Sequence, residues 1–166
     1  MKRIALIFLV AQTFLSAPLV RGEQTGMSAL QDLLTKGADG IDVLYICDAE
    51  FSERAKDPAV VANLRKAKFL VVHAWDANHP LTVVADVLIP SATHAEKEGT
   101  FTNLQGRVQR IHQAMVPKGQ AETDLEALRR VAARLFPGDE SFLTADALDV
   151  FAELRGAVST LAEVSA

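Results

Sequence analysis

Ala85-Asp86-Val87-Leu88-Ile89-Pro90-Ser91-Ala92-Thr93-His94-Ala95-Glu96-Lys97-Glu98-Gly99-Thr100-Phe101-Thr102-Asn103-Leu104-Gln105-Gly106-Arg107-Val108-Gln109 is the stretch around which the chain is organised. It opens as a short apolar strand, Val87 to Ile89, and Pro90 ends that strand by removing a ladder donor. A polar loop is expected to follow. Gly99 and Gly106 permit backbone conformations that other residues resist, and Thr100, Thr102, Asn103, Arg107 and Gln109 crowd it with hydrogen-bonding groups. Such a loop is either a binding surface or a structural knot, and a knot has the stronger physical ground because a buried loop must satisfy its own backbone. The planar guanidinium of Arg107 suits a carboxylate, so a Glu96 to Arg107 pair is expected to tie the loop's ends. Glu96 and Glu98 carry no neighbouring nucleophile, so acid–base catalysis is not indicated.

Upstream, Ser28 and Gln31 form a capping box ahead of Leu30, Leu33 and Leu34, and Gly37 and Gly40 close that helix. A strand is expected at Val43 to Ile46. Asp57-Pro58 reads as an N-cap followed by proline at the first helical position, opening a helix with Val60, Val61 and Leu64 on its apolar side. A second strand is expected at Phe69 to Val72. Strand, helix, strand with short connections is a βαβ unit and predicts an α/β, Rossmann-like parallel sheet with flanking helices. Ligands in such sheets sit beyond the carboxyl ends of the strands, here Cys47 to Glu50, His73 to His79 and the loop after Pro90. Asp48 and Glu50 place negative charge where a diphosphate requires donors or cations. Downstream, Thr123 and Glu126 form a second capping box, with Leu125, Leu128, Val131, Ala132 and Leu135 at helical spacing and Phe136-Pro137-Gly138 as the stop. A last helix is expected from Ala145 to Arg155, carrying Leu148, Phe151 and Leu154.

The chain has 166 residues, 49% of them hydrophobic, which suits one globular domain with a sizeable core. A formal net charge of −4 with scattered Lys and Arg excludes a nucleic-acid footprint. The lone cysteine, Cys47, cannot build a disulfide or a Cys-ligated iron–sulfur cluster within the chain, and reads as a small buried thiol. His73, His79, His94 and His112 show no metal-site spacing, so no metal is expected. Residues 1–22 stand apart from the α/β segment, 23–166. Lys2 and Arg3 before the apolar run Ile4 to Val10 resemble a signal peptide with a poor cleavage site, and the same run equally suits a buried parallel strand.

The runs Ala85 to Pro90, Ala95 to Asn103 and Gly106 to Gln109 resemble the signature of the molybdopterin oxidoreductase superfamily. Ala114-Met115-Val116-Pro117-Lys118-Gly119-Gln120-Ala121, followed by Asp124, resembles the large iron–sulfur subunit of NADH-quinone oxidoreductase, respiratory complex I. The likeness runs from about Gly40 to the C-terminus. Gln105 and Leu125 depart from it, where Glu and Trp are usual. The resemblance implies a partial molybdopterin-oxidoreductase domain acting as scaffold, with no catalytic residue of its own. Its parent assembly would carry electrons from NADH through iron–sulfur clusters to quinone. Partners would be other subunits of a respiratory complex or the missing upstream domains, in the cytoplasm, with the inner membrane reached only through partner subunits.

No cofactor is expected in this chain alone. If a pterin is contacted, Gly99, Thr100, Asn103, Gly106, Arg107 and Gln109 are the candidate residues. Two alternatives stay open. One is a remnant of a molybdopterin-dependent, formate dehydrogenase-like oxidoreductase that shares its pterin cofactor with another chain. The other is an α/β binding module, exported if residues 1–22 act as a signal.

Overall fold

The computed structural model describes residues 4–8, 27–47, 56–103, 105, 107–138 and 146–157. The chain divides into two compact units, Met1–Pro90 and Ser91–Ala166. The division follows Pro90, the residue at which the last strand of the parallel sheet must stop.

The first unit is α/β. Its sheet has four parallel strands in the order β1 (Ile4–Phe8), β2 (Val43–Cys47), β3 (Phe69–Ala74) and β4 (Val87–Pro90). The apolar N-terminal run thus supplies a strand at Ile4–Phe8, paired from Ile4 opposite Val43 to Phe8 opposite Cys47. Residues 1–3 and 9–22, the rest of the signal-like segment, lie outside the described residues. Between the strands run α1 (Met27–Lys36), α2 (Pro58–Leu64) and the five-residue α3 (Pro80–Val84). Right-handed crossovers along a sequential strand order keep successive helices on one face of the sheet. The core reflects this. Leu33 and Leu34 of α1, Val60 and Leu64 of α2 and Leu81 of α3 pack on Leu44, Ile46, Leu70 and Val72, every second residue of β2 and β3. Full burial of a side chain such as Leu64 or Leu70 contributes about 1.5–3 kcal/mol.

The local signals act largely as read. Asp57 caps α2, its Oδ1 accepting from the Ala59 N–H at 2.8 Å, with Pro58 at the first helical position. Helix α1 starts at Met27, which puts Ser28 inside its first turn instead of ahead of it. Gly37 ends α1 at φ +95°, and its N–H donates to the Leu33 carbonyl at 3.0 Å. A Cβ there would lie 2.8 Å from the flexible Lys66 Cδ and 3.1 Å from the Asn63 carbonyl oxygen, so the left-handed backbone is the main reason for glycine and the close carbonyl adds to it. The last carbonyls of α1 are met from another helix: Asn63 Nδ2 donates to those of Leu34 and Thr35 at 3.0 and 3.1 Å.

Among its described residues the second unit holds a hairpin, β5 (Gly99–Thr102) with β6 (Val108–Ile111), and two helices, α4 (Asp124–Leu135) and α5 (Ala147–Ala157). The polar loop expected after Pro90 is therefore in part an antiparallel ribbon. Thr123 caps α4 by accepting from the Glu126 N–H, and Asp146 caps α5 by accepting from the N–H groups of Leu148 and Asp149. Phe151 is the buried anchor of α5. No helix among the described residues is long and apolar enough to cross a membrane.

Candidate functional site

Asp86 sets where the central stretch begins. Its Oδ2 accepts from the Leu70 N–H at 2.7 Å, its own N–H donates to the Leu70 carbonyl at 2.9 Å, and its Oδ1 accepts from Arg65 at 2.9 Å. One carboxylate thereby registers β4 against β3 and ties both to the end of α2. Arg65 also reaches the Ala67 carbonyl at 3.3 Å. The strand that follows is an edge, and Val87 and Leu88 each leave about 40% of their surface exposed (40% and 41%).

At the carboxyl ends of the strands, Cys47, the last residue of β2, stands in register with His73, the penultimate residue of β3, and both are fully buried. Cys47 is a buried thiol, as its strand-end position suggests. His73 meets the Tyr45 ring edge-on, with centroids 6.5 Å apart. Beyond β3, Trp75 is half exposed, and Asp76 turns back to accept from the Asn78 N–H at 2.9 Å. His79 is buried and caps α3, while His94 and His112 are exposed. Asp48 and Glu50 lie outside the described residues. Among the described residues, no group of three or more His, Cys, Asp or Glu side chains is placed to hold a metal.

In the second unit the polar residues form a set of ties. Glu96 is buried, and its Oε2 accepts from the Thr93 N–H at 2.9 Å and lies 3.1 Å from the Thr93 hydroxyl. The Thr93 backbone bond, with its hydroxyl and the neighbouring Lys118, holds the Glu96 carboxyl below the usual carboxylate range against the opposing effect of burial. The expected partner, Arg107, is exposed. The tie therefore closes the short loop Thr93 to Glu96, because a donor three residues away needs far less chain ordering than an exposed arginine in the hairpin turn.

A second tie has no counterpart in the sequence pattern. Asp124, first residue of α4, accepts from Ser91 Oγ at 3.0 Å on one oxygen and pairs with Lys97 on the other. Lys97 and Asp124 are largely buried, with side chains 13% and 18% exposed, so this pair is better shielded than the Arg65–Asp86 pair. Ser91 also bridges to Glu122, the Ala92 N–H donates to the Glu122 carbonyl at 2.8 Å, and the Glu122 side chain pairs with Arg130.

Asn103 organises the hairpin turn. Its Oδ1 accepts from the N–H groups of Gln105 and Arg107 at 3.0 and 2.9 Å, its Nδ2 donates to Gln105 at 3.0 Å, and its backbone N–H donates to the Arg107 carbonyl. Asn103 is thus a knot residue, its side-chain oxygen already shared by two backbone donors. Thr100 and Gly99 are half-buried in β5, with Thr100 opposite Arg110, whereas Arg107 and Gln109 project into solvent. Gly106 lies outside the described residues. Of the described candidate contact residues, Arg107 and Gln109 are the ones whose side chains are exposed to solvent.

The molybdopterin oxidoreductase family model matches residues 18–134. The chain belongs to the molybdopterin oxidoreductase family. Similar curated members include the F420-dependent formate dehydrogenase subunit alpha of Methanocaldococcus jannaschii, 43% identical over 129 residues, covering 76% of this chain and 19% of that protein. The nitrate reductase of Symbiobacterium thermophilum is 44% identical over 82 residues, 49% of this chain and 10% of that protein. A putative formate dehydrogenase of Staphylococcus haemolyticus is 40% identical over 76 residues, 46% of this chain and 8% of that protein. The chain spans less than a fifth of the length of these relatives. They bear out the superfamily resemblance, and they are formate dehydrogenases and a nitrate reductase, which gives the narrower likeness to the complex I iron–sulfur subunit no support.

Proposed function

We propose that this chain is part of a molybdopterin-dependent oxidoreductase of the formate dehydrogenase type, in which it contributes scaffold and a share of the cofactor surface. The identity of 43% over 129 residues with a formate dehydrogenase alpha subunit carries this reading. The likeness to the large iron–sulfur subunit of NADH-quinone oxidoreductase rests on residues 114–121 and Asp124. Asp124 has a folding role in this chain, tying Lys97 and Ser91, and the similar proteins are formate dehydrogenases and a nitrate reductase.

The described residues fit a pterin nucleotide in part. A diphosphate needs cations or backbone donors, and the described strand ends of the first unit offer Trp75, Asp76 and Asn78, of which only Asn78 and the indole carry donors. The hairpin offers Arg107 and Gln109, exposed and suited to a phosphate or a carbonyl. Arg107 and Gln109 would hold a portion of the cofactor, with the rest of the site supplied by sequence corresponding to the remaining length of the relatives. When bound, the molybdenum centre supplies the two-electron chemistry. This chain's residues bind and orient, and iron–sulfur clusters require cysteines from elsewhere.

The test is activity of the assembly isolated from its native host through a tag on this chain. Formate oxidation with an artificial electron acceptor is expected. NADH-driven quinone reduction without formate oxidation would overturn the formate reading and restore the complex I one.

A further inference from the structure

We propose that His79 is an acid-sensitive latch on the loop at the carboxyl end of β3. Helix α3 has only five residues, too few to persist without anchoring. Its anchor is the His79 ring, whose Nδ1 accepts from the Leu81 N–H at 3.2 Å as the helix N-cap. The His79 carbonyl accepts from the N–H groups of Thr82 and Val83 at 2.9 and 3.3 Å, and the Thr82 hydroxyl lies 2.7 Å from it and 2.8 Å from the Ala77 carbonyl. The loop and the helix therefore close together around one side chain, and that side chain is 2% exposed.

Ser, Thr, Asn and Asp are the usual N-caps, and their oxygens go on accepting through mildly acidic pH. An imidazole nitrogen accepts only while it carries no proton. Protonated Nδ1 would turn a donor toward the Leu81 N–H and bury a charge beside it, so the closed loop excludes the proton. Opening the loop returns the ring to water, where an unperturbed imidazole takes a proton near pH 6.5.

Among the described residues, the elements beside the ring carry few titratable groups. Helix α2, packed against α3, carries no titratable residue, and neither does β4. Strand β3 carries His73. The loop itself carries Asp76, whose Oδ1 accepts from the Asn78 N–H. The sign follows from linkage: the latch holds at pH above this range and loosens below it, the opening constant rising by up to about tenfold per pH unit. The loop it controls lies at the end of the sheet where ligands of α/β folds bind, and it carries Trp75. The latch is independent of the reaction assigned to the parent enzyme.

The chain contains a single tryptophan, so its emission reports on this loop alone. Trp75 emission and the Leu81 amide resonance should change together in a one-proton step between pH 7.5 and 5. His79→Asn, which keeps an acceptor but does not titrate in this range, should abolish the step, while His94→Gln and His112→Gln should leave it. Persistence of the step in His79→Asn, or no step in the unmodified chain, would overturn the proposal. If His79→Asn does not fold, the ring nitrogen shifts of the unmodified chain decide. A proton on Nε2 with bare Nδ1 at pH 7.5 supports the latch, and a proton on Nδ1 overturns it.

Discussion

Replacing Asp86 with alanine removes two different interactions, and their sizes differ enough to be separated. The first is the bond from the Leu70 N–H to Oδ2 at 2.7 Å, which satisfies a backbone donor at the start of β3. Leaving such a donor without its acceptor costs about 1–3 kcal/mol, toward the lower end where water reaches it. The second is the ion pair with Arg65, whose side chains are 27% and 40% exposed for Asp86 and Arg65, so solvent screening limits it to about 0–1 kcal/mol. Asp86→Ala should therefore lower unfolding free energy by about 1–4 kcal/mol, Arg65→Ala by less than about 1 kcal/mol, and Asp86→Asn, which keeps an acceptor for Leu70, by an intermediate amount. Urea unfolding of the three variants, followed by circular dichroism at constant m-value, measures this order. A loss in Arg65→Ala equal to that in Asp86→Ala would refute the claim that the carboxylate acts chiefly on the β3 backbone.

Asn103→Ala should destabilise the second unit by about 1–3 kcal/mol, because two turn N–H groups lose their shared acceptor, while exposed Arg107→Ala should stay within about 0.5 kcal/mol of the parent in the same unfolding assay. Gly37→Ala should cost about 1–2 kcal/mol for the left-handed backbone alone, read as a lower thermal midpoint. Glu96 has a depressed carboxyl pKa, so its contribution is complete above the ordinary carboxylate range and is lost as pH falls through that depressed value. Unfolding midpoints from pH 7 to 3 should therefore fall less steeply in Glu96→Gln than in the unmodified chain.

The parallel sheet was legible because its signals are local. Asp57-Pro58, Gly37 and Thr123 each determine a helix end through their own backbone or side chain, and the apolar runs at 43–47 and 69–74 declare buried strands. Helix α3 was missed, although His79-Pro80 repeats the cap-then-proline arrangement of Asp57-Pro58, because histidine is seldom read as a cap. The hairpin was also recoverable from sequence: between Phe101 and Val108 stand Asn103 and, two residues before Val108, a glycine, and a short glycine-bearing stretch between such runs signals paired strands. Partner choice was not recoverable. Nothing in spacing says that Glu96 turns to Thr93 and not Arg107, that Asp124 binds Lys97 and Ser91, or that Asn63 closes α1. Each of those ties depends on tertiary proximity, which periodicity does not encode. The same limit applied to function: the central motif pointed to the superfamily, and the branch was not legible in it.

That this chain is part of a molybdopterin-dependent enzyme is the central claim, and metal analysis tests it most directly. The native assembly, isolated through this chain, should contain molybdenum and release a pterin on oxidation, in proportion to the chain itself. Absence of both from an intact assembly that retains its iron–sulfur clusters would contradict it.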